Sequence, residues 1–329
     1  MLVRPDWVED ARGTASWLGR LAVDQHHQVR AGDAGDAARV ARLVLGTGVA
    51  LVLSGGGARG IAEIGVVRAV QELGVPVDVV AGTSIGALVG GAVARGWNWE
   101  RIRRSVRDGV AAGRGVVDPS LPLVALAAGR RVSRRLRAAS DELDLEDLHL
   151  DFTCVSTNLS RRSAEVHRRG SAWRAVRASI AIPGLFPPVA QGADVLVDGG
   201  LLDNFPVARV RDRHPGATVI GVDVGSRRDL AALGLPESCE LGSWQALRSL
   251  GRRSRPEVTL VRVLARLAEL GLEHPDARSA PDVLVEPRVH DVPILGFDRF
   301  DELVARGHDA AVRTLEPWLA RRAEAGLAW

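Results

Sequence analysis

The chain contains no lysine: all 43 of its basic residues are arginine. That absence excludes Schiff-base chemistry, a pyridoxal anchor and the lysine of a Walker phosphate loop. The arginine bias itself reads as composition rather than function. Cysteine is almost as scarce. Cys154 and Cys239 cannot build a disulfide framework and lack the paired spacing of a zinc site, so a reducing, cytoplasmic compartment is expected. No uncharged apolar run reaches the roughly 18 residues that a membrane span needs. Residues 1–30 are too polar and charged for a secretory signal.

What is present suits a packed core. Apolar residues make up 46% of 329 and charged residues 25%, a balance that argues against bulk disorder. A formal net charge of +3 is too small by itself to imply a nucleic-acid partner. Arginines cluster at 101–107, 130–137, 161–169 and 252–255. These read first as solvated helix faces and loops, with peripheral contact to anionic headgroups at the inner face of a membrane as the functional alternative.

Along the chain, residues 1–45 read as an arm of polar helices, clearest at 37–43. The run Val49-Ala50-Leu51-Val52-Leu53 suits a buried parallel strand. A glycine loop follows at 55–57, then a helical stretch over 61–73. A second strand is predicted at 77–80 and a tightly packed small-residue helix at 87–95. This strand–helix–strand–helix order predicts an α/β fold, a mostly parallel sheet covered on both faces. Further strands are expected at 152–156, 195–197, 219–224 and 283–285, and helices at 259–271 and 299–323. Residues 225–258 are mixed and read as an insertion or lid-like loop. The division expected is an arm at 1–45, a catalytic domain at 46–315 and a helix end or tail at 316–329.

Gly82-Thr83-Ser84-Ile85-Gly86 fits G-x-S-x-G between a strand and a helix. The glycines Gly82 and Gly86 permit a sharp turn that pushes the serine hydroxyl out of the sheet. Ser84 at a helix N-terminus also suits developing negative charge. The bland alternative is a glycine-rich helix start with Ser84 as its cap, and the flanking strand and helix favour the nucleophile. Ser54-Gly55-Gly56-Gly57-Ala58-Arg59-Gly60 likewise ends a strand and opens a helix. Its backbone N–H groups at Gly55, Gly56 and Gly57 could converge on an oxyanion, with Arg59 bracing the loop. Gly55, Gly57 and Gly60 also match the dinucleotide fingerprint G-x-G-x-x-G. The acidic residue expected at the end of the second strand is missing, so that reading, a dinucleotide-dependent oxidoreductase, is weak.

A serine needs a neighbour to accept its proton. Asp198, followed by Gly199 and Gly200 after a short apolar strand, is the candidate general base. As a turn residue it would be unremarked, yet it supplies what Ser84 lacks. A Ser–Asp–His triad drawing on His274, His290 or His308 is the alternative, although none of the three sits in a distinctive loop. The adjacent pair His26-His27 has no second ligand cluster. No metal and no cofactor are expected.

The loop 54–60, the turn 82–86 and the Asp-Gly-Gly at 198–200, in that order, resemble the patatin-like phospholipases. So does the segment 177–188, Arg-Ala-Ser-Ile-Ala-Ile-Pro-Gly-Leu-Phe-Pro-Pro. Trp17-Leu18, His26-His27-Gln28-Val29-Arg30 and the arginine-rich helix before Val49 are similar to the branch of neuropathy target esterase. The likeness covers about residues 7 to 315. It implies a three-layer α/β/α fold carrying a Ser84–Asp198 dyad, an oxyanion hole at Gly55, Gly56 and Gly57, and hydrolysis of acyl esters of lysophospholipids or phospholipids through an acyl-enzyme. Two departures stand out. Glu63 occupies a position where this branch often has histidine. The cyclic-nucleotide-binding and membrane segments found upstream in relatives are not in this sequence, so a catalytic module without nucleotide regulation is expected. A lipid-binding module that has kept the fold but lost activity is the alternative. Leu185, Phe186, Leu201, Leu202 and Phe205 are the candidate walls of the lipid cleft.

Overall fold

The computed structural model describes residues 1–329 apart from 6, 22, 24, 112–117, 121–123, 226–279, 295 and 328–329. The arm at its start is not the run of helices expected. Strands β1 (Leu2–Arg4) and β2 (Gln28–Arg30) pair in parallel, and α1 (Thr14–Leu18) is little more than one turn. Only α2 (Ala34–Val44) is a substantial helix, started by Asp33, whose carboxylate accepts the Asp36 N–H at 2.8 Å. Tertiary contacts override the local pattern here. Gln28 is buried and donates to Thr14 Oγ1 at 2.9 Å and to the Glu146 carbonyl at 3.1 Å. The Thr14 N–H donates to Asp147 at 2.9 Å, and Arg95 pairs with Asp10 at 2.6 Å. Polar residues that suggest a solvated helix are instead the fastenings of the arm to the body.

The main sheet comprises β3 (Val49–Leu53), β4 (Val79–Thr83), β5 (Asp151–Asn158), β6 (Ser163–His167), β7 (Val189–Gln191), β8 (Asp194–Asp198), β9 (Thr218–Val222) and β10 (Val283–Val285). Its order is β10-β9-β3-β4-β5-β8-β7, with β6 also paired to β5. The pairs from β10 through to β5 are parallel, whereas β6, β8 and β7 join antiparallel. The helices are α3 (Ala62–Glu72), α4 (Ile85–Ala94), α5 (Trp99–Ala111), α6 (Arg130–Ser140), α7 (Ala172–Ser179), α8 (Val207–Arg213) and α9 (Phe300–Glu324).

Side chains of β3 divide by parity, as a two-residue period requires. Val49, Leu51 and Leu53 join the core formed with α3, α4 and α9. Ala50 and Val52 point the other way, onto Val207 and Val210 of α8 and Leu43 of α2. Both faces are apolar because both are covered. This is the three-layer, mostly parallel α/β/α arrangement expected. The helices α3 and α9 touch backbone to backbone: a side chain at Gly65 would be driven into the Val304 carbonyl, and one at Gly307 into the Ala62 carbonyl.

The second strand differs from expectation. It begins at Val79, not at residue 77, and runs on through Gly82 and Thr83, which still pair with β5. The buried Asp78 carboxylate accepts the Val49 N–H at 2.8 Å and pairs with Arg42 at 2.7 Å, which ties off the strand at its start. The expected loop at 225–258, apart from Gly225, and the expected helix at 259–271 lie outside the described residues.

One register relationship positions the site. On β5, β4 pairs with residues 151–155 and β8 with 156–158, while β6 spans 154–158 and so must lie on the opposite edge. Strands β4 and β8 therefore share one edge of β5, end to end and running toward each other. The last pair of β4 is Thr83↔Val155, and β8 ends at Asp198↔Ser156. Ser84 and Asp198 meet where the two strands stop.

Candidate active site

Ser84 follows β4 with φ 56° and ψ −122°, outside the regions open to an ordinary L-residue, and α4 starts at the next position. Such a conformation costs on the order of 1–3 kcal/mol and persists only where its surroundings enforce it. They do so by close approach. A Cβ at Gly82 would meet Ala87 N at 2.7 Å, and one at Gly86 would meet the Ser54 carbonyl at 2.7 Å. Only glycine fits at either place, so the turn is as tight as G-x-S-x-G implies. The Ser84 N–H donates to Ser179 Oγ at 2.8 Å, and Ser179 donates in turn to the Val155 carbonyl at 2.5 Å.

The Ser84 hydroxyl donates to Asp198 Oδ2 at 2.7 Å. The other carboxylate oxygen accepts the Gly200 N–H at 2.8 Å. Both residues are 7% exposed. Burial raises the Asp198 carboxyl to about 6, against the opposing pull of the Ser84 and Gly200 hydrogen bonds. A carboxylate displaced toward neutrality is a better proton acceptor than a solvated one. A side chain at Gly199 would strike the Val155 carbonyl, which explains the first of the two glycines; the second supplies the N–H that orients the carboxylate.

The glycine loop lies beside this pair. Gly57 and Ser84 line the same cavity, and Gly57 has φ +58° with its Cα pressed against Ile294. One member of the expected oxyanion set is corrected by the geometry. The Gly55 N–H is engaged by the Asn204 carbonyl at 3.0 Å, and the Asn204 amide donates back to the Gly55 carbonyl at 3.1 Å. Gly55 is thus a clamp on the loop. The N–H groups of Gly56 and Gly57 have no acceptor among the described residues. Arg59 is buried and its Nε donates to the Gly56 carbonyl at 3.3 Å, bracing the loop from within. At Gly60 an added Cβ would collide with the Ile85 side chain, so the loop closes directly over the start of α4.

A cavity of about 620 Å³ opens at Ser84 between α5, α6 and α7. Its walls are apolar, with Leu88, Val106, Leu136, Val176 and Ile180 prominent, together with Leu185 and Phe186. Leu201, Leu202 and Phe205, also expected there, do not line it. Leu202 is 47% exposed, and Phe205 packs on the far face of the sheet. The missed wall was signalled by helical spacing: Ile102 and Val106 on α5, and Val132 and Leu136 on α6, are each four residues apart.

Neither described histidine of the alternative triad reaches Asp198. The His290 Nδ1 contacts the Gly225 carbonyl at 3.0 Å, and His308 Nε2 contacts Glu72 at 2.8 Å; His274 lies outside the described residues.

The patatin-like phospholipase family model matches residues 51–210, a span that contains the glycine loop, Ser84, Ser179, Asp198 and Asn204. The chain belongs to the patatin-like phospholipase family. Its relatives place it in the branch of neuropathy target esterase. It is 37% identical over 286 residues to lysophospholipase nte1 of Emericella nidulans, covering 83% of this chain and 18% of that protein. To lysophospholipase NTE1 of Saccharomyces cerevisiae it is 33% identical over 283 residues, covering 83% and 17%. For the Coccidioides immitis lysophospholipase NTE1 the identity is 36% over 289 residues, covering 83% and 18%. This patatin-like chain therefore spans less than a fifth of the length of the curated relatives it matches.

Proposed function

We propose that the chain hydrolyses carboxylic esters of lipids, of the lysophospholipid or phospholipid class, by a Ser84–Asp198 dyad. The observation that carries this reading is the 2.7 Å hydrogen bond to a buried carboxylate from the Oγ of Ser84, a residue that lines an apolar cavity. In the first step Asp198 takes the hydroxyl proton as Ser84 Oγ bonds to the ester carbonyl carbon. The oxyanion forms against the Gly56 and Gly57 N–H groups, each such donor contributing about 2.7–4 kcal/mol. The ester C–O bond then breaks, and Asp198 returns the proton to the departing alcohol oxygen. Water attacks the acyl-Ser84 carbonyl, passes a proton to Asp198, and Ser84 Oγ leaves with that proton as the fatty acid is released. Asp198 also holds the serine in place between turnovers.

The cavity takes the acyl chain, and the positive end of α4 adds to the oxyanion field. Peripheral contact with an anionic membrane belongs to the same reading. Exposed Arg104 and Arg134 lie on the helices that flank the cavity, and loss of liposome binding between low and physiological salt is the expected signature. No helix among the described residues is long and apolar enough to cross a membrane.

The deciding experiment assays Ser84→Ala and Asp198→Asn on a lysophospholipid and on a short p-nitrophenyl ester, with folding checked by circular dichroism. Both variants should fold and lose at least about 10³-fold in kcat, while His290→Ala and His308→Ala keep activity. A wild type inactive on every ester leaves the lipid-binding alternative, and an Asp198→Asn variant near wild-type rate sinks the dyad while keeping the esterase.

A further inference from the structure

A second cavity, of about 330 Å³, lies toward the opposite end of β4 from Ser84. Asp151, which lines it, pairs with Val79 at the start of β4, whereas Ser84 follows its end. The length of β4 separates the two, roughly 16 Å at about 3.3 Å per residue. This volume is at the small end of ligand pockets, which run from about 300 to 1,000 Å³.

Its lining is polar and cationic. Arg39, Arg168, Arg169 and Arg213 face two carboxylates, Asp151 and Glu165. Two of the four guanidiniums are already answered. Arg39 is buried with both terminal nitrogens on backbone carbonyls and Asp36 at 3.5 Å, and Arg213 pairs with Asp151 at 2.8 Å. Arg168 and Arg169 are not. Arg168 reaches only Thr153 Oγ1 at 3.4 Å and the Arg209 carbonyl at 3.5 Å, both at the limit of a hydrogen bond. The Arg169 guanidinium meets no acceptor among the described residues. Glu165, the remaining carboxylate, takes the Asn158 amide at 3.2 Å.

His27 completes the set from the arm. Its ring has no hydrogen-bond partner among the described residues, and burial, opposed by the Asp151 carboxylate and aided by Arg39, holds its pKa near 4. The imidazole is therefore neutral at physiological pH and can donate one hydrogen bond. The other histidines of the cavity are spent: His26 on the Glu146 carbonyl, His167 on Ser156, and His149 on Asp36 and Arg4. The pair His26-His27 thus differs residue by residue, one structural and one idle. No group of three metal-ligating side chains occurs among the described residues, so the idle imidazole stands with arginines rather than with other ligands.

We infer that this cavity is an anion site of the phosphate class, built by Arg168, Arg169 and His27. Two unspent guanidinium forks and a neutral ring donor approach one space from two parts of the chain, the end of β6 and the arm. A tetrahedral anion with several acceptor oxygens satisfies all three at once, whereas a single carboxylate saturates on one fork. The phosphate can be free or can belong to a lipid headgroup; the chemistry is shared. The site is apart from Ser84, and its test needs no ester.

Inorganic phosphate and sn-glycerol-3-phosphocholine are the two probes, titrated separately at constant ionic strength and followed by calorimetry and thermal shift. Saturable binding of phosphate alone assigns a free-phosphate site, and binding of the phosphodiester assigns a headgroup site. In both cases Arg168→Gln/Arg169→Gln should weaken the affinity at least about tenfold. A readout in the unmodified protein guards against a misfolded variant. The C2 proton of His27, assigned by its loss in His27→Gln, should titrate near pH 4 in the free protein and at distinctly higher pH with the bound probe, because a nearby anion favours the imidazolium. Failure of both probes to bind overturns the inference. So does binding that leaves the His27 titration unmoved, or binding of equal strength in the double variant.

Discussion

The amide of Ser84 is held by the hydroxyl of Ser179, at 2.8 Å, although 95 residues separate them in the chain. Ser179 ends α7 and is completely buried, so no water can replace it. Its removal leaves a buried N–H and the Val155 carbonyl without their bridge, at about 1–3 kcal/mol. The Ser84 backbone is also strained, with φ 56° and ψ −122°. Ser179→Ala should lower thermal stability and reduce kcat by about tenfold or more, with KM for a short ester little altered, since substrate contacts are untouched. A rise in KM at constant kcat would make Ser179 a substrate contact instead of a positioning residue.

Asp198 gives the pH dependence its sign. The base must be ionised, and burial raises its carboxyl from 3.8 to about 6. The rate, as kcat/KM, should fall below about pH 6 along a limb set by one proton, well above where a solvated aspartate would place it. The same displacement acts on stability in the opposite direction. Asp198 stabilises the fold fully below 3.8, and that contribution is lost as pH rises through about 6. The loss is on the order of 3 kcal/mol at 1.36 kcal/mol per unit. Asp198→Asn should therefore be inactive yet more resistant to urea than the wild type at pH 8, with the difference closing near pH 4. An Asp198→Asn variant less stable at pH 8 would mean that the carboxylate is a net support of the fold.

The apolar cavity predicts a chain-length series. Each methylene of the acyl chain that leaves water for these walls contributes about 0.8 kcal/mol, close to a fourfold gain in kcat/KM. The gain should continue along p-nitrophenyl esters of increasing length and stop when the cavity of about 620 Å³ is full. Leu136→Trp, on α6 where it faces that space, should bring the plateau to a shorter chain. A flat series would remove the acyl chain from this cavity.

The parts legible in the sequence were those that depend on short spacings. Ser84, Asp198 and the glycine loop each carry a local reason, a turn or a close approach, that leaves a mark within five to seven residues. Strand β3 was legible because a fully buried parallel strand is a continuous apolar run. The arm was not: its β1–β2 pairing joins Leu2 to Gln28, and three-residue strands have no period to detect. The same distance hid Asn204, whose paired bonds to Gly55 turn an expected oxyanion donor into a clamp. Leu185 and Phe186 are cavity walls as expected, whereas Leu201, Leu202 and Phe205 only adjoin Asp198 in sequence; most of the remaining walls come from helices α4 to α7.

Asp78 offers a stability test of how the arm and the sheet are joined. It is completely buried and accepts from Arg42 of α2, through Nε at 3.0 Å and the terminal nitrogen at 2.7 Å, and from the Val49 N–H. Removing one partner of such a pair strands the other, a loss of about 3–5 kcal/mol. Asp78→Ala should lower the urea midpoint strongly, and Arg42→Ala somewhat less, because the Val49 N–H remains for the carboxylate. The double variant should lose much less than the sum of the two. Additive losses would show that α2 and the sheet are not coupled through this pair.

Glu63 is the residue whose burial has least compensation. It sits in the first turn of α3, fully enclosed, and neither carboxyl oxygen has a hydrogen-bond partner among the described residues. Desolvation, with Asp223 adding to it, pushes its pKa well above the ordinary 4.5. A raised carboxyl contributes stability that is fully present below 4.5 and is lost as pH rises toward the folded value. A glutamine in its place would keep the shape and the polar burial while removing the proton equilibrium. Glu63→Gln should therefore match the wild type at pH 4.5 and have the higher urea midpoint at pH 8. The pH dependence separates this from a simple packing gain, which would be the same at both values. A Glu63→Gln variant less stable than the wild type at pH 8 would show that the ionised carboxylate is held by a partner, and that glutamate at this place carries a charge the fold uses.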